Sequence, residues 1–324
     1  MKRFLKKLGA NSRFRDPIYG YIWLTDKEKK IIDLPLFQRL RRVHQLALTK
    51  YVYPTAEHSR FVHSLGAVHC ATAMFAGIFQ HNDTHTRLLT ESEQDRFLGL
   101  LRFAALLHDI GHLPFSHGAE KELLGDLGHE DISQYLITKY GPLQSILEDD
   151  AQIVSSILSS STMRQKYKIL HEIISGHLDA DRADYLMRDS YICGVKYGEY
   201  DFERYMQSFG AFKENSSLRL FVNERDIFVV EAFLMARYHY NLQVPYHRTR
   251  TGYDLILRRY FRDLQERRLY EEFFKKDETG KIAELDTNFY EDFDDYAVFE
   301  QIKKDYRAGN KWAEMLLRQG HLLP

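Results

Sequence analysis

Cysteine is nearly absent: Cys70 and Cys193 are the only two in 324 residues, lie far apart and form no C-x-x-C pair. This argues against a disulfide framework and for a reducing compartment. Neither sign of charge is in excess, since 45 Lys+Arg stand against 46 Asp+Glu for a formal net charge of -1. No global basic field then favours nucleic acid or an anionic membrane, and any bound anion must be caught locally. The start, MKRFLKKLGANSRFRD, is basic but lacks the apolar run of a signal peptide. No stretch approaches the roughly 20 apolar residues of a membrane span. A cytoplasmic protein with no membrane or nucleic-acid partner is expected. Internal repeats and low-complexity linkers are also absent.

What is present is helical periodicity. The chain is 44% hydrophobic and long enough for one large domain or two ordinary ones. LPLFQRLRRVHQLAL sets Leu36, Phe37, Leu40, Val43 and Leu46 on one helical face. HSRFVHSLGAVHCATAMFAGIF does the same with Phe61, Leu65, Val68 and Met74, with Ser59 as an N-cap candidate. DRFLGLLRFAALLHD gives Phe97, Leu100, Leu101, Ala104 and Leu107, a helix expected to stop near Gly111 and Pro114. HEDISQYLITKYG, AQIVSSILSSS, HEIISGHLDADRADYLMRDS and DIFVVEAFLMARYHYNLQV continue in the same manner, whereas strand-like alternation is confined to YGYIWL and SLRLFV, enough for a small ribbon. The fold class expected is an all-α bundle with a minor β-ribbon. Residues 1–270 are read as the core, and 271–324, acidic and aromatic, as a helical extension packed on it.

The stretch LLHDIGHLPFSH puts three histidines and an aspartate into a dozen residues at the end of an apolar helix. His108 and Asp109 sit where the helix ends and adjacent side chains can turn toward a common point. His63 lies on the preceding amphipathic helix and Asp181 on a later one. Two imidazoles and two carboxylates make a mixed nitrogen and oxygen set suited to one divalent transition metal, with positions left for water and substrate. Mn, Fe, Mg, Ni and Zn all tolerate parts of it. Helical proteins commonly build metal sites from several helices of one core. Nearby, His112, His117 and His129 supply imidazoles that can bond phosphate and exchange protons near pH 7.

SRFVHSLG, HDIGHLPFSH, GHEDIS and DADRADYLMRD occur in that order, joined by DPIYGYIWL, LPLFQRLRRVHQL and YHYNLQVPYHRTR. Together, from about residue 14 to at least 265, they resemble the HD-domain phosphohydrolases. Within these they resemble the branch of SAM-and-HD-domain deoxynucleoside triphosphate triphosphohydrolases and bacterial dGTPase-like enzymes. The resemblance implies the all-α HD bundle and a metal held by His63, His108, Asp109 and Asp181. It places His112 and His117 against the scissile phosphate, makes His129 the general acid, and has Glu120 and Glu130 orient these histidines. Arg60 and Arg182 are assigned to the triphosphate, with Arg237 and Arg248 as further phosphate contacts. Gln45 and Asp189 match contacts to the sugar 3'-hydroxyl, and Tyr185 supports the sugar. Tyr246 matches the aromatic that packs where a 2'-hydroxyl would project.

Asp33, Gln38 and Arg41 match residues that grip an activating guanine nucleotide in that branch, although Asp33 is also placed to cap the helix after Pro35. The chain departs from the pattern in having no SAM domain and in carrying Arg15 where an asparagine is expected in the activator site. Family habit implies a dimer or tetramer. The expected activity is metal-dependent hydrolysis of a deoxynucleoside triphosphate to nucleoside and triphosphate. The alternatives are an HD phosphohydrolase acting on a nucleoside monophosphate, a signalling nucleotide or another phosphoester, and a catalytically silent nucleotide- or nucleic-acid-binding regulator.

Overall fold

The periodic segments become helices in a computed structural model that describes residues 1–79, 88–159, 164–267, 269–270 and 273–318. Helix Arg60–Phe79 lies at the centre, against Glu91–Leu107 on one side and Ala180–Cys193 on another. It is long and apolar enough to pass for a membrane span, but 78% of that window is buried inside the protein. Its small residues account for the tight packing. A Cβ on Gly66 would meet Asp184 Oδ1 at 1.9 Å, so the crossing with Ala180–Cys193 is set by the missing side chain. Glu91–Leu107 begins with a capping box, Thr90 and Glu93 each bonding the other's backbone N–H. It ends at Leu107, three residues before Ile110 and just short of the metal-candidate pair.

Three expectations are corrected. The helix read over 34–48 is broken into Pro35–Gln38, a 3-10 turn at Arg39–Arg42 and the start of another at Ala47–Tyr51. Val43 is extended (φ -111°, ψ 113°) and His44 bridges Ser59. The competing interaction is Asp295, which accepts from the His44 backbone N–H at 3.0 Å and its ring Nδ1 at 2.5 Å. HEIISGHLDADRADYLMRDS is two helices, Lys168–Ser175 and Ala180–Cys193, broken at Gly176 and restarted by Asp179 as N-cap. YGYIWL and SLRLFV do not share a ribbon. Gly20–Leu24 pairs antiparallel with Ser12–Asp16, and Ser217–Val222 with Phe209–Glu214.

The proposed extension is described over 273–318 and starts with a hairpin, Phe274–Lys276 with Ile282–Leu285, before helices Thr287–Asp292, Asp295–Arg307 and Lys311–Arg318. Its acids do not simply face water: Asp294, Asp295 and Asp305 are buried. Both cysteines are free and buried.

His69, on the central helix, stacks on Tyr19 at 4.4 Å, and burial lowers its pKa to about 4. The unfolded chain takes that proton near pH 6.5, so below this pH the unfolded state binds more protons and the fold loses stability until about pH 4. Urea unfolding should show roughly 1–2 kcal/mol of this loss between pH 7 and pH 5. His69→Phe should flatten that part of the slope, and an unchanged slope would locate the loss in other groups.

Candidate metal centre and active-site cleft

The His63 ring is fixed by a bond between Nδ1 and Asp184 Oδ2 at 2.8 Å, and the His108 ring by Nδ1 donating to Ala105 O at 2.8 Å. Each ring then turns Nε2 outward, and the two Nε2 atoms face each other at 3.2 Å. Two lone pairs at that separation repel unless a proton or a metal ion lies between them. Ligands about 2.0–2.1 Å from one centre have this spacing. Asp181 Oδ1 is 2.9 Å from His63 Nε2 and 3.6 Å from His108 Nε2. The residues therefore fit a divalent ion. Burial opposes charge on His63, but the carboxylates of Asp181, Asp184 and Asp109 outweigh it and raise its pKa to about 10, so the position favours positive charge. Asp109 is close, with Oδ1 3.4 Å from His108 Nε2 and Oδ2 3.6 Å from His63 Nε2. It lies outside the tight His63, His108 and Asp181 group because Arg60 Nη1 holds Oδ2 at 2.5 Å.

A second histidine group adjoins the first. His112 stacks on His129 at 3.7 Å, and His117 stands edge-on to both at 5.0 and 5.3 Å. Glu120 joins two of them, 2.7 Å from His117 Nδ1 and 2.7 Å from His129 Nδ1. Burial disfavours the Glu120 charge, yet these bonds hold its carboxyl well below the usual range. Burial, then Arg60 and His129, push His112 far below an ordinary histidine, so it is neutral, and its buried Nδ1 has no partner. Glu130 is exposed on the cleft wall and, among the described residues, bonds none of these rings.

The turn that delivers His117 is strained. Phe115 and Ser116 both have positive φ, 56° and 53°. It is held by Asp295 Oδ1, which accepts from Phe115 N at 2.7 Å, and by Ser116 Oγ, which donates to His44 O at 3.0 Å. Arg39 bonds both Phe293 O and His112 O, at 2.7 and 2.8 Å. The C-terminal segment thus braces the loop that carries His112 and His117. A Cβ on Gly111 would meet His129 O at 2.1 Å, which explains the glycine where this loop crosses the His129–Lys139 helix.

His108, Asp109, Asp181, His112, His117 and His129 open onto a cavity of about 380 Å3, with His63 buried behind them. Arg60, Arg182, Gln45, Tyr185 and Asp189, read from sequence as substrate contacts, line it. Arg182 is tied back by Asp179 and by Gly176 O at 2.7 Å. Asp189 is gripped by His58 at 2.7 Å and by the Tyr240 hydroxyl. Gln45 Oε1 is buried without a partner among the described residues.

Three expected residues stand elsewhere. Tyr246 is 70% exposed and off the cavity, because the helix Ile227–Gln243 ends and the chain turns back with Tyr246 N on Asn241 O. Arg237 is half-buried beside that wall, and Arg248 is exposed at the start of Arg248–Glu266. Arg250, two residues on and so on the other side of the helix, lines the cavity instead, paired to Asp254 at 3.0 Å. Sequence reasoning also missed Asp184, His58, Tyr240 and Ser116. The i+3 spacing of Asp184 from Asp181 was the available signal for the first. Of the nucleotide-activator candidates, Arg41 Nε bonds Gln38 Oε1 at 2.8 Å and stacks on Phe61, while Asp33 ends the helix Asp26–Ile32 and Leu34 takes the N-cap before Pro35.

Residues 60–189 match the family model described as the HD domain, a span that contains all four metal-ligand candidates. The chain is 34% identical over 256 residues to the uncharacterized protein YwfO of Bacillus subtilis, covering 78% of this chain and 55% of that one. It is 35% identical over 205 residues to the deoxynucleoside triphosphate triphosphohydrolase SAMHD1 homolog of Dictyostelium discoideum, covering 59% and 38%. Among solved structures, a hypothetical protein from Aquifex aeolicus matches 96% of this chain and 76% of its own, with TM-score 0.78 and 28% identity. The chain spans about half the length of the curated relatives it matches. It carries an HD domain and resembles the SAMHD1 branch of HD-domain phosphohydrolases.

Asp184→Asn should let the His63 ring lose its fixed tautomer while keeping the side chain's shape. Calorimetric titration with Mn²⁺ should then show about 10- to 100-fold weaker binding. Unchanged affinity would mean that Asp184 serves packing alone.

Proposed function

We propose that this HD-domain chain is a metal-dependent hydrolase that converts a deoxynucleoside triphosphate to deoxynucleoside and inorganic triphosphate. The observation that carries the reading is the paired, outward-facing Nε2 atoms of His63 and His108, with Asp181, at a cavity whose walls carry Arg60, Arg182 and three further histidines. A divalent ion held by His63, His108, Asp181 and Asp109 would neutralise phosphate charge and activate water.

The chain's own groups do the rest. Arg60 and Arg182 pair with phosphate oxygens, and Arg250 adds a guanidinium where Arg237 and Arg248 do not reach. Neutral His112 hydrogen-bonds the α-phosphate. Water attacks the α-phosphorus, the bond to the sugar oxygen breaks, and His129 supplies the proton that oxygen needs. Glu120 accepts from Nδ1 of both His117 and His129, so each ring meets the cleft through Nε2. Gln45 Oε1 and Asp189 receive the sugar hydroxyl, with Tyr185 and Tyr240 as the aromatic wall. The name of the Dictyostelium relative supports the triphosphate substrate. With Tyr246 off the cavity, the preference for deoxyribose rests on that similarity.

A guanine nucleotide on Asp33, Gln38 and Arg41 remains part of this reading, as do a cytoplasmic location and a homo-oligomer, dimer or tetramer. The last is supported by Phe228, Met235, Tyr238 and Leu242, all exposed along one helix.

Purified protein with Mn²⁺ and each dNTP should release nucleoside and tripolyphosphate in equal amounts. Asp181→Ala should lose turnover and metal together. Orthophosphate or pyrophosphate as product would favour the other phosphoester reading, and intact nucleotides the silent regulator.

A further inference from the structure

The helix His129–Lys139 has two working faces. His129, Glu130 and Ser133 face the catalytic cavity, while Gln134, Thr138 and Lys139 face a second one of about 390 Å3. Its other walls include Gln152 and Ser155 from helix Asp150–Leu158, Arg164, and Lys281 from the C-terminal hairpin. Lys139, Arg164 and Lys281 are exposed, and among the described residues no side-chain nitrogen of the three is bonded to a carboxylate, although the Lys281 backbone N–H bonds Asp277 Oδ1 at 3.1 Å.

That is unlike neighbouring cations. Arg96 is held by Asp150 at 2.7 Å, and Lys275 by Glu284 at 2.7 Å. The single carboxylate on the wall, Asp131, is turned to the Gly128 backbone N–H at 2.9 Å. Lys139, Arg164 and Lys281, with Asp277 beside Lys281 alone, stand around neutral amide and hydroxyl donors and make a local positive field in a chain whose net charge is -1. The volume matches the catalytic cavity, so the space is that of a nucleotide or a short oligophosphate chain.

We propose that this cavity is a second binding site, for a phosphate-bearing anion of that size, and that its occupant tightens the helix carrying His129. The contact is direct: Ser133 Oγ, next to Gln134, donates to His108 O at 3.0 Å and accepts from Gly111 N at 3.0 Å. An anion ordering this helix therefore bears on both histidine groups. The binding does not depend on which reaction the first cavity performs.

The test uses the full chain without added metal, titrated with sodium tripolyphosphate and separately with dGTP. Calorimetry should resolve one event weakened about tenfold or more by Lys139→Glu, Arg164→Glu and Lys281→Glu together, and a second event weakened only by Arg182→Ala. A milder set, Lys139→Gln, Arg164→Gln and Lys281→Gln, should weaken the first event less, with melting temperature kept. Hydrogen exchange should show tripolyphosphate protecting amides in 129–139 of the wild-type chain and not of the Glu variant. Equal affinity for the two probes identifies the phosphate chain as the recognised part, and tighter dGTP binding identifies a nucleotide. Isotherms and exchange left unchanged by the Glu variant overturn the site, whether or not the chain hydrolyses any nucleotide.

Discussion

The arrangement depends on a buried ion cluster between two helices. Arg188 donates from Nε and Nη2 to Asp184, both at 2.9 Å, and from Nη1 to Asp16 at 2.8 Å, all three groups buried. Buried charges of this kind are costly unless fully paired, and removing one leaves the others exposed to the low-dielectric interior. The cluster is possible because Gly66 has no side chain, letting the Ala180–Cys193 helix press against Arg60–Phe79. What it achieves is orientation: Asp184, with its pKa lowered to about 2 against the opposing effect of burial, is always ionised and can only accept from His63 Nδ1. The face His63 presents to Asp181 and His108 is thus decided one layer beneath the candidate metal centre.

This explains what was legible in the sequence. His63, His108, Asp109 and Asp181 have a chemical signature of their own, and periodicity placed them on helices of one core. Asp184 and Arg188 do not, because on a helix two carboxylates three residues apart read as a solvated face until a partner helix is set against them. The same limit applies to the chain after Arg42. Val43 and Leu46 carry helical spacing, and the segment unwinds because Asp295, some 250 positions later, takes the His44 N–H that a helix would have used. Local pattern could not report so distant a competitor.

Two of the three residues that stand off the cavity, Tyr246 and Arg248, lie at a helix end. Tyr246 and Arg248 were placed by resemblance to the family pattern in YHYNLQVPYHRTR, but the chain turns at Val244 and restarts at Arg248, so the side chain that reaches the cavity is Arg250. Element ends are where spacing loses meaning, since the phase of the next helix is set by the turn.

The unwinding at His44 and the strain at Phe115 and Ser116 have one cause. Asp295 has two oxygens: Oδ2 holds His44 and Oδ1 holds Phe115 N. One side chain therefore sets both Gln45, two residues from the extended Val43, and His117, two residues from Phe115. Positive φ at two successive non-glycine residues costs on the order of 1–3 kcal/mol each, and it persists where surrounding bonds over-determine it. Here Asp295, Ser116 Oγ and the Arg39 bridge to His112 O do so. The acidic, aromatic tail, which composition alone would assign to solvent, is what keeps the loop between the two histidine groups in its high-energy shape.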